Sequence, residues 1–130
     1  MLMRTQINSH FELEAFKKAF DAATELFEIS KTFPREEMYS LTDQLRRAIR
    51  SVCGNCAEAW RKRIHEAAFI SKLNEAEAAE AQTWVAFAVR SGYLDRQKAI
   101  GLHNTYEEIL RMLVAMRCHP DKWTVPPSDR

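Results

Sequence analysis

Apolar residues recur along this chain at steps of three and four, with charged residues between them. That is the signature of helices with one buried face. Phe16, Phe20, Ala23 and Phe27 form the first such stripe, separated by Lys17, Lys18, Asp21 and Glu25. It predicts a helix over 10–31, ended by Thr32-Phe33-Pro34, because the residue before a proline is pushed out of the α region. A second stripe, Leu41, Leu45, Ala48, Val52, Asn55 and Ala59, predicts a helix over 40–65. Ser40 followed by Asp43 reads as its capping box. Phe69, Leu73, Ala76, Thr83, Trp84 and Phe87 mark a third over 67–91, with Ser91-Gly92 as its C-cap. A fourth over 95–118 starts at Asp95 and buries Ile100, Tyr106, Ile109, Leu110, Leu113 and Met116, until His119-Pro120 stops it. No run alternates with period two. The expected fold is all-α, an antiparallel up-down-up-down four-helix bundle. One domain spans 1–130, and a short extended tail holds Pro126-Pro127.

Composition narrows the class without changing that picture. The chain has 130 residues, 46% hydrophobic and 28% charged, with only three glycines and four prolines. That is an ordinary globular balance with few breakers. The net charge of +1 carries no global signal for nucleic acid or membrane, so any such surface must be a local patch. The start, Met1-Leu2-Met3-Arg4-Thr5-Gln6, has no apolar run of the kind a secretory signal needs. No stretch approaches the roughly 18 apolar residues of a membrane span. An odd count of three cysteines argues against a disulfide framework. The expectation is a cytoplasmic protein with reduced thiols.

The stretch Cys53-Gly54-Asn55-Cys56 is a C-x-x-C, the spacing of a dithiol redox site or half of a zinc site. Its position argues for neither. It falls in mid-helix, far from the helix start that would lower a thiol pKa, and no strand precedes it. Small cysteines packed against a helical seam are commonplace. A zinc site would need Cys118-His119 as well, and adjacent residues rarely both ligate one ion. Glu75, Glu77 and Glu80 lack a histidine at the i, i+3 spacing of di-iron bundles, and His65 and His103 are isolated. With no nucleophile elbow and no glycine-rich phosphate loop, no catalytic residue, metal or cofactor is expected.

One continuous run resembles a known family: Phe33-Pro34-Arg35-Glu36-Glu37-Met38-Tyr39-Ser40-Leu41-Thr42-Asp43-Gln44-Leu45-Arg46-Arg47-Ala48, followed by Ser51, Asn55 and Glu58. Phe69-Ile70-Ser71-Lys72-Leu73, Glu80 with Thr83-Trp84, Gly92-Tyr93-Leu94, and Tyr106, Ile109, Leu113 and Met116 extend the likeness from about Phe16 to Trp123. These motifs are similar to those of the four-helix-bundle proteins encoded by intervening sequences of bacterial 23S rRNA genes. The resemblance implies an antiparallel bundle that assembles into a ring-shaped homopentamer. One related branch, the accessory variability protein of diversity-generating retroelements, is basic, binds nucleic acid and partners a reverse transcriptase. This chain departs from the pattern at Ala59, where the family commonly has glycine. It departs again at Cys53 and Cys56, where proline or small residues are usual. The cysteines therefore read as local substitutions, not as a shared site.

Two groups of residues carry the functional expectations. Asn55 and Ser51 lie one turn apart, and with Glu80 and Thr83 they form an expected polar layer that fixes helix pairing. Arg46, Arg47, Arg50, Arg61, Lys62 and Arg63 make the second helix basic, while the first and third are net acidic. Repeated around a ring, that patch becomes multivalent. The expected function is a non-enzymatic oligomeric binding or scaffold protein that takes RNA or DNA phosphate on this surface. The alternative is an adaptor that contacts protein alone, such as a reverse transcriptase. Trp60 and Trp123 are further candidates, for stacking or for packing.

Overall fold

The computed structural model describes residues 7–76 and 78–126; Glu77 and Pro127 lie outside them. The fold is an all-α bundle of helices α1 (Glu14–Ser30), α2 (Leu41–Arg61), α3 (Glu66–Glu75), α4 (Ala78–Arg90) and α5 (Arg96–Cys118). Single turns of 3-10 helix precede α1, precede α2 and follow α5. Ion pairs Lys18–Glu108 and Lys98–Glu25 run α1 and α5 antiparallel. The amide of Gln82 on α4 reaches His103 and Glu107 on α5, while Val89 and Arg90 lie across from Arg96 and Ala99. Those two helices are therefore antiparallel as well.

The helix ends follow the sequence in two places and depart from it in three. Gly92 takes a left-handed φ of +80°, which glycine adopts without a Cβ penalty, and Tyr93 N–H donates back to the Ala88 carbonyl. Asp95 caps α5 by accepting from the Lys98 N–H at 3.0 Å. At α2 the expected Ser40–Asp43 box does not form. Glu37, on the preceding 3-10 turn, supplies the cap instead. Its carboxylate accepts from the Ser40 hydroxyl, the Leu41 N–H and, at 3.0 Å, the Tyr93 hydroxyl, while Asp43 pairs with Arg47. These hydrogen bonds, the one from Ser40 first, hold the Glu37 pKa below its ordinary value. The first helix begins at Glu14, not at 10, because residues 10–12 form a separate turn capped by Ser9.

The third departure is the largest. The helix expected over 67–91 is two, separated at Ala76. Phe69 and Leu73 are buried before the break; Ala78, Ala81, Val85 and Ala88 are buried after it. The break turns the buried face, so Thr83 and Phe87 point to solvent and Trp84 is half-buried. Along α1 the stripe also shifts. Ala15, Phe16, Ala19, Ala22 and Leu26 face the core, where small residues let helices approach closely. Phe20, Ala23 and Phe27 are displaced to its edge. On α2 the seam runs through Cys56, with Asn55 half-buried beside it.

The tail closes one end of the bundle. Trp123 folds back beside Leu13, Met112 and Met116, enclosing a small apolar cavity of about 180 Å³. Thr124 is buried, and Val125 N–H donates to the Arg63 carbonyl at 3.1 Å. The tail therefore latches onto the turn between α2 and α3.

Candidate nucleic-acid interface

Of the six cations expected on the second helix, four lie on α2, which ends at Arg61 and not at 65, and Lys62 and Arg63 follow in the turn beyond it; the six separate into two groups about three turns apart. At its start, Arg46 and Arg50 project one turn apart toward α1. The Arg46 guanidinium lies 4.6 Å and that of Arg50 5.6 Å from the ring centre of Phe27. Lys31, just past α1, brings a third cation 5.1 Å from the same ring. The three charges thus stand within roughly a Debye length of one another. Arg46 Nε donates to the Ser30 hydroxyl at 2.9 Å, which sets its direction without neutralising it. Lys31 pairs with Glu28 at 3.1 Å. Among the described residues, no carboxylate comes within ion-pair distance of Arg46 or Arg50. Arg47, on the next stripe, is tied to Asp43 at 3.0 Å.

In the second group, at the far end, Arg61 has a carboxylate partner, while among the described residues none stands within ion-pair distance of Lys62 or Arg63. Arg61 pairs with Glu58 at 2.9 Å. That hydrogen bond first, and the charges of Arg61, Lys62 and Lys72 after it, hold the Glu58 carboxyl below its usual range. Arg63 stacks over the Trp60 ring at 3.9 Å and donates to the Trp60 carbonyl at 2.9 Å. Trp60 is half-buried, and Arg63 covers one face of its ring.

Beside the first group lies a groove between α1 and α2, about 280 Å³ in volume. It is lined by Phe20, Ala23, Thr24, Phe27, Ile49, Arg50 and Cys53. Its wall is the Phe20–Ala23–Phe27 stripe that the period alone assigns to the core. Phe20 stacks on Phe16 with ring centres 5.4 Å apart and remains 50% exposed. Phe20, Phe27 and Lys31 were absent from the expected site, since a helical aromatic stripe reads as core until its neighbours are placed. A second groove, between α4 and α5, is lined by aliphatic Val85, Val89, Ala99 and Ile100 with Arg90 and Arg96 at its rim.

Of the expected polar layer, the fold unites Ser51 and Asn55. The Asn55 amide donates to the Ser51 carbonyl and hydroxyl at 3.0 and 3.1 Å, and across to the Glu75 carbonyl at 3.1 Å. Glu75 ends α3, so Asn55 satisfies one of the carbonyls that every helix end leaves open. Glu80 and Thr83 bond within α4, to the Trp84 indole and the Ala79 carbonyl.

The thiols stand apart from any reactive geometry. All three cysteines are free; Cys56 is buried, Cys53 half-buried and Cys118 exposed. Burial pushes the Cys53 thiol up to about 11 and the Cys56 thiol up to about 12. Both stay protonated near neutral pH, the unreactive form. The nearby Tyr106 hydroxyl is buried with no hydrogen-bond partner among the described residues, and burial raises its pKa too. No group of three or more His, Cys, Asp or Glu among the described residues is placed to hold a metal ion. No helix among them is long and apolar enough to cross a membrane.

Comparison with known proteins agrees with this architecture. The family described as 23S rRNA-intervening sequence protein matches residues 11–115. A crystal structure of a protein of unknown function from the S23 ribosomal protein family of Bacteroides thetaiotaomicron is similar at a TM-score of 0.72. Its identity to this chain is 26%, over 80% of this chain and 95% of that one. No curated protein matches.

Proposed function

Because this chain belongs to the 23S rRNA-intervening sequence protein family, we propose that it is a non-enzymatic binding module that takes RNA or DNA phosphate on the Arg46–Arg50 surface. The observation that carries the reading is the uncompensated pair itself. Two arginines one turn apart, oriented by Ser30 and Phe27, with the Glu28-paired Lys31 beside them, form a local positive site on a chain of near-zero net charge. Arginine suits the task because its planar fork meets phosphate oxygens two at a time. Such binding is salt-dependent and largely indifferent to sequence. Self-assembly into a ring would repeat the site and raise its avidity.

The test is fluorescence anisotropy with labelled RNA and duplex DNA across a salt titration, with Arg46→Glu/Arg50→Glu alongside at a matched oligomeric state. Binding that weakens steeply with salt and disappears in the charge-reversed protein supports the reading. No binding at low salt removes it. A second reading, a surface that docks protein, is supported by exposed Phe87 beside Trp84, with ring centres 5.7 Å apart, and by exposed Ile100 at the α4–α5 groove. It is also where copies of the chain would meet. Phe87→Glu measured by native mass spectrometry tests this, a smaller assembly being the supporting result.

A further inference from the structure

Resting on the phosphate-binding reading, we infer that the α1–α2 groove receives an unpaired base, so that the protein selects single-stranded over duplex nucleic acid. Proteins that hold single strands pair a cationic track for the backbone with aromatic rings on which bases stack. Both parts meet here. Phe20 is braced by Phe16 on a helix and half its surface stays open to solvent. Arg50 lines the same groove, and Arg46 and Lys31 stand around Phe27 at its end. A base lying against Phe20 would have its flanking phosphates within reach of these cations. An anion there also relieves the mutual repulsion of Arg46 and Arg50, neither of which has a carboxylate partner among the described residues.

Size and polarity narrow the occupant. At about 280 Å³ the groove sits just below the roughly 300 Å³ where drug-sized pockets begin, which suits one ring system. The wall is apolar, and the Thr24 hydroxyl is spent on the Phe20 carbonyl at 2.9 Å. Apart from Arg50, little remains to read a base edge, so stacking is tolerant of sequence. A duplex offers its phosphates but keeps its bases stacked inside, out of reach of Phe20. The arginines alone would not distinguish the two forms; the aromatic wall does.

The experiment uses a fluorescein-labelled 12-nucleotide single-stranded RNA and the same strand annealed to its complement. A third probe carries 2-aminopurine, whose emission falls when it stacks. Wild type, Phe20→Leu, Phe20→Tyr and Arg46→Glu/Arg50→Glu are compared. Phe20 is half-exposed, so Leu keeps the bulk while removing the aromatic face, and circular dichroism checks the fold. The expected result is tighter binding of the single strand and quenching of the 2-aminopurine. Phe20→Leu loses about tenfold in single-strand affinity with an unchanged salt slope, and Phe20→Tyr retains it. Equal affinity for both forms, or no loss in Phe20→Leu, overturns the base-stacking inference while the charged surface stands. If neither form binds wild type at low salt, the phosphate-binding reading fails with it.

Discussion

The two ends of α2 begin from the same composition and reach different surroundings. Arg46, Arg47 and Arg50 near its start are matched by Arg61, Lys62 and Arg63 at its finish. At the finish, Glu58 takes Arg61, Trp60 lies under Arg63, and the tail latches the Arg63 carbonyl. At the start, Arg46 and Arg50 rest on the ring of Phe27, which lines the open α1–α2 groove. A run of basic residues is therefore not a binding surface by count. What matters is also what stands beside the charge: Arg50 lines the groove with Phe20 and Phe27, while at the finish Arg63 covers Trp60.

The contrast can be broken most directly by charge reversal at the open end. Arg46→Glu/Arg50→Glu is expected to weaken RNA binding about a hundredfold at ~50 mM salt, with a shallower salt slope read by anisotropy. Between the two ends sits Asn55, whose amide closes the last carbonyl of α3. Asn55→Leu removes that hydrogen bond, an exposed one, and should cost about 0.5–1.5 kcal/mol, lowering Tm by a few degrees in a thermal melt. An unchanged melt would mean that water replaces the bond and that the helix break does not depend on Asn55.

The thiols at the same midpoint give a pH test. Their folded pKa values, about 11 and about 12, stand above the ordinary thiol value of 9.0. Folding therefore favours the protonated forms. Their contribution is full below pH 9 and is lost as pH rises through 9 toward 12. Stability to urea should fall as pH rises from 9 toward 11, and Cys53→Ala/Cys56→Ala should flatten part of that fall. Thiol labelling at pH 8 should modify exposed Cys118 first and Cys56 only on unfolding. The smallest effect is expected at the far end, away from the groove. Arg61→Glu/Arg63→Glu should change RNA affinity less than about threefold; a loss equal to that of the Arg46/Arg50 pair would erase the distinction between the two ends.

Much of the scaffold was legible because helix signals are local. Gly92 and Asp95 act where a stop and a start were expected, and Leu41, Leu45, Ala48, Val52 and Ala59 all reach the core. The candidate site was legible only in part. Arg46 and Arg50 stood among six equivalent cations, while Phe20 and Phe27 passed as core because a period of 3.6 cannot say which of two adjacent stripes faces inward. The break at Ala76 carries no glycine or proline and left no mark in the pattern.

Sequence by itself determined the helical class, the helix ends at Gly92 and Asp95 and the composition of each face, since these depend on neighbours within a turn. Tertiary packing decided which stripe of α1 was buried, where the third helix divided and which arginines kept their charge free. Those outcomes depend on partners such as Ser30 for Arg46 or Glu75 for Asn55, sixteen and twenty residues away along the chain. Only the assembled bundle brings such pairs within the 3 Å or so over which a hydrogen bond acts.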